Sequence, residues 1–298
     1  MEVITVPDPI LKLGLPKGSL QDATISLFRN AGYEIDVPSR SYVPVIDDPE
    51  IGCLMFRAQE IARYIADGVI DCGITGHDWV RENGVDVHEV GELRYSRATS
   101  RPAKWVLAVP NESSVQRPED LAGGIVATEL VGVTRQYFED RGLDVRVEFS
   151  WGATEIKARL LDAIVDVTET GSSLRANNLR VIDEVLVSTT RFVASHDAWA
   201  DPARRGKIEA INLLLQGAIN ARSKVGLKIN VPRDQLPAVL ALIGQYGEHS
   251  PTVSPLVDEA WVALELILDE RTEREIIPAL QKVGASGFVS YPLNKVIS

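Results

Sequence analysis

The chain has 298 residues, which is enough for two or three domains of ordinary size. Hydrophobic residues make up 45% of it and charged residues 24%, a globular composition that excludes a disordered or fibrous chain. Lys and Arg number 31 against 42 Asp and Glu, so the net charge is −11. This balance argues against a nucleic-acid partner, which needs a basic face, but is compatible with a small polyanionic ligand held by local donors.

The cysteines and the N-terminal residues indicate the cellular compartment in which the protein is expected. Two cysteines, Cys53 and Cys72, cannot form a disulfide framework, and we expect both to be buried as small hydrophobic side chains. Residues 1–9 lack the positive segment and apolar run of a signal peptide, and no apolar stretch reaches the ~20 residues of a membrane span. We therefore expect a cytoplasmic protein with no membrane partner.

The first hundred or so residues alternate apolar strands with helical patterns, which is typical of an α/β fold. Strands are predicted at 10–15, 51–56 and 71–75, and helices at 19–32, 58–66 and 77–84. Ser19 is predicted to cap the first helix in a capping box with Asp22, and Gly32 to end it.

A polar stretch at 95–104 separates this series from a second series of the same kind. Its predicted strands are 105–109, 125–128, 145–149 and 163–167, and its predicted helices are 118–121, 134–141 and 172–178. Two further strands, at 181–187 and 191–194, are predicted to return the chain to the first lobe, and a long helix runs from Pro202 to about Ala221. Two such lobes predict a ligand site between them.

The segment from Val225 onward has a different order of elements. Strands are predicted at 225–231, 252–256, 261–268 and 288–291, and helices at 232–243 and 271–283. This β-α-β-β-α-β order is that of a ferredoxin-like unit. We place the boundary before it near 222–224.

The segment 162–173 carries the clearest chemical signal. An apolar strand runs into a loop of hydroxyl residues and one glycine, and a helix follows at once. Backbone N–H groups and hydroxyls in such a loop can bind an anion, and Gly171 permits its close approach. Asp166, at the strand end, is placed to meet a ribose diol or a metal ion. The alternative is an acidic strand end followed by an ordinary helix cap.

These residues resemble a known family. The pattern from Asp166 to Ser173, Asp-Val-x-x-Thr-Gly-x-Ser, resembles the loop of phosphoribosyltransferases that binds 5-phosphoribosyl-1-pyrophosphate (PRPP). The string 162–179 resembles that of ATP phosphoribosyltransferase, the first enzyme of histidine biosynthesis, and segments 15–20, 71–78 and 151–155 are similar to others of that family. Segments 250–254 and 291–295 resemble the regulatory domain of its long form. Ser173 stands where a Thr is common, which leaves a hydroxyl in place.

The resemblance implies an enzyme, a glycosyltransferase that moves the 5-phosphoribosyl group of PRPP to N1 of the adenine of ATP, releases pyrophosphate and requires Mg²⁺. It implies two α/β lobes like those of periplasmic binding proteins and a ferredoxin-like regulatory domain that binds L-histidine as an allosteric inhibitor. A homo-oligomer, from dimer to hexamer, is implied as well. We expect lobe I at 1–103 and 188–205, lobe II at 104–187, a linking helix at 206–224 and the regulatory domain at 225–298.

The resemblance and the position of each residue together give candidate site residues. The PRPP-binding candidates are Asp166, Thr168, Glu169, Thr170, Gly171, Ser172 and Ser173, and Asp166 is also the candidate magnesium ligand. The ATP-binding candidates are Lys17, Gly18, Asp71, Gly73 and Thr75. The catalytic candidates are Lys17, Arg57 and Glu155, and the regulatory histidine candidates are Ser250, Thr252 and Ser254.

Plainer interpretations stand beside these. Lys17 and Arg57 could be solvated surface cations, and Glu155 a carboxylate favoured by a helix start. His77 is more typical of a surface or capping histidine than of a catalytic base, and Trp151 of a buried aromatic residue. The tail could be a structural or oligomerisation module, since fold does not imply function. The competing function is a two-lobed solute-binding or ligand-sensing protein without chemistry.

Overall fold

The structure is a computed structural model that describes residues 9–38, 42–95, 102–247 and 251–297. The chain divides into two compact units, Met1–Asn212 and Leu213–Ser298. Within the described ranges, no helix is long and apolar enough to cross a membrane.

The first unit contains the elements up to the middle of a long helix. In chain order its first part comprises β1 (Leu11–Lys17), α1 (Gln21–Ala31), β2 (Ile35–Asp36), β3 (Val45–Ile46), β4 (Ile51–Arg57), α2 (Ala58–Ala66), β5 (Cys72–Gly76), α3 (His77–Asn83) and β6 (His88–Leu93). Its second part comprises β7 (Ala103–Pro110), β8 (Ile125–Thr128), α4 (Val131–Glu139), β9 (Arg146–Phe149), α5 (Thr154–Lys157), β10 (Ala163–Thr168), α6 (Ser172–Ala176) and β11 (Leu179–Ser188). Then follow β12 (Thr190–Ala194), α7 (His196–Ala200) and α8 (Pro202–Ala221).

The first lobe is built on a five-stranded sheet with the order β4-β1-β5-β12-β6. β1 runs parallel to β4 and to β5, whereas β12 pairs antiparallel with β5 and β6. Leu11, Leu13 and Leu15 of β1 are fully buried, because this apolar strand lies inside the sheet. Cys53 and Cys72 are buried and free, as predicted, and burial raises the pKa of the Cys53 thiol to about 12.

The first helix begins later than the sequence predicts. Lys17 still belongs to β1, and Gly18, at φ +96°, turns the chain while its carbonyl oxygen accepts a hydrogen bond from Gln21 N at 3.1 Å. Leu20 occupies the N-cap position, so the predicted capping box of Ser19 and Asp22 is wrong, because a backbone turn replaces the side-chain cap. The predicted end of this helix at Gly32, in the left-handed conformation, is confirmed.

The second lobe is a five-stranded sheet with the order β11-β7-β10-β8-β9. β10 runs parallel to β8 and antiparallel to β7, and β7 pairs antiparallel with β11 along most of its length. The predicted strand 181–187 therefore belongs to the second lobe, and β12 is the strand that returns the chain to the first. These two sheets with their helices form two α/β lobes, as expected.

The second unit starts within α8 and continues through β13 (Lys224–Pro232), α9 (Leu236–Gln245), β14 (Thr252–Pro255), β15 (Trp261–Asp269), α10 (Glu270–Lys282) and β16 (Ser286–Pro292). Its sheet has the order β14-β15-β13-β16, with every pair antiparallel. Leu227, Ile229 and Val231 alternate onto the buried face of β13, where Ile243 and Ile276 of the two helices join the core. The predicted ferredoxin-like domain is confirmed.

Candidate active site

A cleft of about 970 Å³ lies between the two lobes of the first unit. The carboxyl ends of β1, β4 and β5 and the starts of α2 and α3 form one wall, and residues of β7 and β10 and of the loops after β8 and β10 form the other. Charged residues of both signs line it: Lys17, Arg57, Glu60, Asp78, Arg94, Glu129 and Glu169.

The two predicted catalytic cations lie next to each other in this cleft. Lys17 and Arg57 are the last residues of neighbouring parallel strands and are direct partners in the register of β1 and β4. Both are exposed, and Lys17 Nζ lies 3.6 Å from the ring centroid of Tyr42. Gly18 also lines the cleft. The pair forms a local positive edge that suits phosphate oxygens, despite the acidic chain.

The hydroxyl-rich loop after β10 is closed by its own hydrogen bonds. Thr168 Oγ1 accepts from Gly171 N at 2.7 Å, and Thr170 Oγ1 donates to Ser172 Oγ at 3.0 Å. Gly171 adopts φ +72° at the N-cap of α6, a backbone conformation that favours glycine. Glu169 reaches the cleft wall. The loop therefore turns sharply where a helix begins, which directs backbone N–H groups outward.

Glu155 supports this loop from α5. Its carboxylate accepts a hydrogen bond from Ser173 Oγ, so the candidate catalytic carboxylate and the candidate phosphate-binding hydroxyl are in contact. This contact limits the freedom of both side chains.

Asp166 lies at the strand end before the loop, in an environment that disfavours its negative charge. Burial is the main reason that the pKa of Asp166 is raised to about 6, and the charges of Glu155 and Glu129 raise it further, while a 2.8 Å hydrogen bond from Val167 N opposes them. A bound cation would relieve this repulsion.

The oxygen donors near Asp166 suit a divalent cation only in part. Carboxylate oxygens are the ligands that Mg²⁺ prefers, and Mg²⁺ commonly takes one or two of them and completes its shell with substrate phosphates and water. In the described part of the chain, no group of three or more His, Cys, Asp or Glu residues could hold a metal ion. The residues therefore fit a cation shared with a phosphate ligand and do not fit an all-protein cage.

Two further charged residues, one that lines the cleft and one behind the hydroxyl-rich loop, were not predicted as site residues. Glu129 follows β8, and burial raises the pKa of its carboxyl whereas the charges of Lys157 and Arg57 lower it. Lys157 Nζ donates to Ser150 Oγ at 2.6 Å behind the loop. Glu129 directly follows the predicted strand 125–128, and Asp166 lies near the carboxyl end of the predicted strand 163–167, so a similar signal was present for Glu129. Lys157 lies on a one-turn helix that has no sequence signal.

Three ATP-binding candidates do not reach the cleft. Asp71 precedes β5 at the end of the strand away from the cleft, where it accepts hydrogen bonds from Lys12 N at 2.6 Å and Arg204 Nη1 at 3.2 Å. Gly73 is packed so closely that a Cβ there would lie 2.9 Å from the carbonyl oxygen of Gly14. Thr75 is fully buried and donates to the carbonyl oxygen of Ala58 at 2.7 Å. The expectation that they line the strand end is corrected, because β5 is an inner strand whose cleft end begins at Gly76.

The two discounted residues also have definite places. His77 begins α3, and its Nδ1 lies 3.4 Å from Oε1 of Glu89. Trp151 is 92% exposed and packs edge-on against Phe149, so the expectation of a buried ring is wrong.

The histidine-binding candidates belong to the second unit. Thr252 and Ser254 lie on β14, an edge strand, and both are exposed. They pair with Glu265 and Ala263 of β15. Ser250 lies outside the described residues.

Comparisons with known proteins agree with this geometry. Residues 57–217 match the profile of a family described as HisG, ATP phosphoribosyltransferase, and residues 221–295 match that of the HisG C-terminal domain. The ATP phosphoribosyltransferases of Thermodesulfovibrio yellowstonii and Solibacter usitatus are 55% and 54% identical to this chain, over 97% of it and 99% of their own lengths. A chain of the ATP phosphoribosyl transferase (HisG:HisZ) complex from Thermotoga maritima superposes with a TM-score of 0.59 at 28% identity, covering 69% of this chain and 96% of that one.

Proposed function

Because the chain belongs to the long form of the ATP phosphoribosyltransferase family, whose members are glycosyltransferases of the first step of histidine biosynthesis, we propose that it joins PRPP and ATP in the cleft. The 5-phosphoribosyl group moves to N1 of the adenine ring, and pyrophosphate is released. The observation that carries this proposal is one cleft with the adjacent cations Lys17 and Arg57 on one wall and, on the other, Val167 of β10 and Glu169 of the hydroxyl-rich loop that follows it.

The reaction is a substitution at the anomeric carbon of the ribose. The lone pair of adenine N1 forms the new bond to this carbon, the bond from the carbon to the pyrophosphate oxygen breaks, and its electron pair leaves with pyrophosphate. The transition state has oxocarbenium character, as at glycosidic bonds. The protein must therefore orient two polyanions and stabilise the leaving group, tasks that need no nucleophilic side chain.

The loop after β10 is proposed to hold the PRPP end of the reaction. Its N–H groups and hydroxyls, on Thr168, Glu169, Thr170, Gly171, Ser172 and Ser173, bind the 5-phosphate. Glu155 orients the hydroxyl of Ser173, with which it is in contact. Asp166 accepts hydrogen bonds from the ribose hydroxyls.

The cations of the first lobe are proposed to hold the other phosphates. Lys17 supplies a point charge to the pyrophosphate of PRPP or the phosphates of ATP, and Arg57 binds beside it. Thr75 acts indirectly, because its hydroxyl fixes the carbonyl oxygen of Ala58, the residue after Arg57. Gly73 permits the packing of β5 on β1, and Asp71 fixes the opposite end of these strands.

Mg²⁺ is part of the proposal. Asp166 would hold it together with phosphate oxygens of PRPP, and when bound it would offset the negative charge of the departing pyrophosphate. The ionised form of Asp166 is then favoured over the protonated form.

Regulation by L-histidine is proposed for the second unit. The long-form architecture and the exposed hydroxyls of Thr252 and Ser254 on β14 support a site for an amino-acid carboxylate there, with Ser250 as a further candidate. We also propose a homo-oligomer between dimer and hexamer and a cytoplasmic location, both of which follow from the family.

The test is to identify the product. The protein is incubated with ATP, PRPP and Mg²⁺, and the product is isolated and analysed by mass spectrometry and NMR. We expect one adenine nucleotide that carries a phosphoribosyl group on N1, with pyrophosphate released. Binding of both nucleotides with no new product would instead indicate a ligand sensor.

A further inference from the structure

Helix α3 belongs to the first lobe. It follows β5 directly, and Val80 packs into the core of that lobe. At the far end, Asn83 Nδ2 donates to the carbonyl oxygen of Gln59 in α2 at 3.0 Å. Any movement of the first lobe therefore carries α3 with it.

The start of α3 is bonded to the second lobe. Asp78 Oδ2 accepts from Trp105 Nε1 of β7 at 2.7 Å, and Asp78 N donates to Ser188 Oγ at the end of β11 at 3.0 Å. His77 N donates to the carbonyl oxygen of Thr189, in the link between the lobes, at 2.9 Å. Asp78 is 6% exposed, so these bonds lie in a protected environment where polar contacts are strong.

The middle of α3 packs against the second lobe. The ring of Trp79 meets Trp105 edge to face, with centroids 6.0 Å apart and planes at 86°. Trp79 also packs on the hydrophobic core of that lobe. The contact between the lobes is thus partly apolar.

The end of α3 caps a helix of the second lobe. Glu82 Oε1 accepts from Gly132 N at 2.9 Å, and Oε2 accepts from Val133 N at 3.0 Å, in the first turn of α4. These N–H groups have no partner within their own helix, and Leu130 at the N-cap offers no side-chain acceptor. A Cβ on Gly132 would lie 3.3 Å from Glu82 Oε2, so the glycine permits this close approach.

We propose that Asp78, Trp79 and Glu82 form an inter-lobe tie that holds the two lobes at the separation found in this structure before any substrate binds. Asp78 and Glu82 are positioning residues that act through the separation of the lobes. Two-lobed proteins of this architecture often close around their ligand, which uses part of the binding energy. With the tie in place, substrates bind a cleft that is already formed.

The test uses Glu82→Gln, which keeps the shape of the side chain but leaves one oxygen acceptor and no charge. Glu139→Gln, at the exposed opposite end of α4, is the matched control. Hydrogen–deuterium exchange of the full chain without substrates is measured at the amides of Gly132 and Val133 and at the amide of Asp78. We expect all three to exchange about tenfold faster in Glu82→Gln and unchanged in Glu139→Gln, because loss of a bond to a charged group weakens the tie as a whole.

The kinetic part of this test rests on the proposed phosphoribosyl transfer, because it needs a measurable reaction rate. In Glu82→Gln we expect KM to rise about three- to tenfold for both substrates with kcat within twofold, because saturating substrates restore the tied arrangement of the lobes. Faster exchange confined to Gly132 and Val133 would show a local helix cap and overturn the tie, as would wild-type exchange at all three amides. Hydrogen–deuterium exchange needs no substrate, so it tests the inter-lobe tie even if the proposed reaction does not occur.

Discussion

At the scale of single residues, position along a strand decides whether a charge reaches the cleft. Lys12 and Lys17 lie on the same strand and are both exposed. Lys17 lines the cleft at the carboxyl end, whereas Lys12 lies near the opposite end, where its N–H donates to Asp71. The two lysines therefore provide an internal comparison of the same charge in two places.

Lys17→Ala is expected to lower kcat/KM by about 10- to 100-fold, because a hydrogen bond to a charged phosphate contributes about 1.5–3 kcal/mol. Lys17→Arg should recover part of the loss, since a planar guanidinium does not occupy the space of an ammonium group. Initial-rate kinetics decide this, with Lys12→Ala as the control. Equal kinetics for Lys17→Ala and Lys12→Ala would remove Lys17 from the site.

Gly171→Ala tests the phosphate loop. An alanine at φ +72° is strained by about 1–2 kcal/mol, which disfavours this loop conformation, and its Cβ would lie 2.8 Å from Arg175 Nη1, so the flexible Arg175 side chain must move as well. We expect PRPP affinity to fall at least about tenfold by calorimetric titration. Gly206→Ala, in α8 with open space around the new Cβ, should bind PRPP like the wild type. Unchanged affinity in folded Gly171→Ala would contradict the loop assignment.

Asp166→Asn should change stability and activity in opposite directions. Because the folded-state pKa of Asp166 is about 6, above the ordinary carboxyl value of 3.8, ionisation of this group destabilises the fold as pH rises through about 4 to 6. Asparagine removes that penalty, so Tm should exceed the wild-type value at pH 7.5, with the difference fading toward pH 4, while PRPP turnover falls. Calorimetry that shows the same Tm difference at both pH values would contradict the assigned environment.

At the scale of elements, strands with a clear apolar pattern were predictable and polar or very short elements were not. β1, β4, β5 and β10 follow apolar runs, so their places could be read from the sequence. β6, His-Glu-Val-Gly-Glu-Leu, has no such pattern and forms because β12 pairs with it. The single turn of α5, which positions Glu155, likewise depends on its contact with β10 and the loop after it.

The edge strand β14 carries the prediction for regulation. Thr252→Ala should raise the histidine concentration for half inhibition by about tenfold, because a hydroxyl bond to a charged carboxylate is lost. Ser290→Ala, exposed on β16 of the same sheet, should leave inhibition unchanged. Initial rates against histidine concentration measure both. If millimolar histidine leaves the wild-type rate untouched, the regulatory assignment fails while the transferase assignment stands.

At the scale of the whole molecule, the site depends on how two lobes meet. The hydroxyl-rich loop and the segment 15–20 around Lys17 could each be found in the sequence, but they lie about 150 residues apart in the chain. The side chains that join the lobes carry no local signal. In the sequence, for example, Glu82 is an ordinary surface glutamate of a predicted helix. Only the fold brings its carboxylate to the backbone N–H groups of Gly132 and Val133 in α4. Asp71 is the opposite case. The sequence around it suggested an ATP-binding residue, but the direction of β5 places it at the end of the sheet away from the cleft.

The central claim is that one cleft holds both reacting groups. A crystal structure of the protein with PRPP and Mg²⁺ tests it most directly. We predict the 5-phosphate within hydrogen-bond distance of the backbone N–H groups around Gly171, and the pyrophosphate directed toward Lys17 and Arg57. PRPP bound outside the cleft, or with its 5-phosphate away from this loop, would contradict the account.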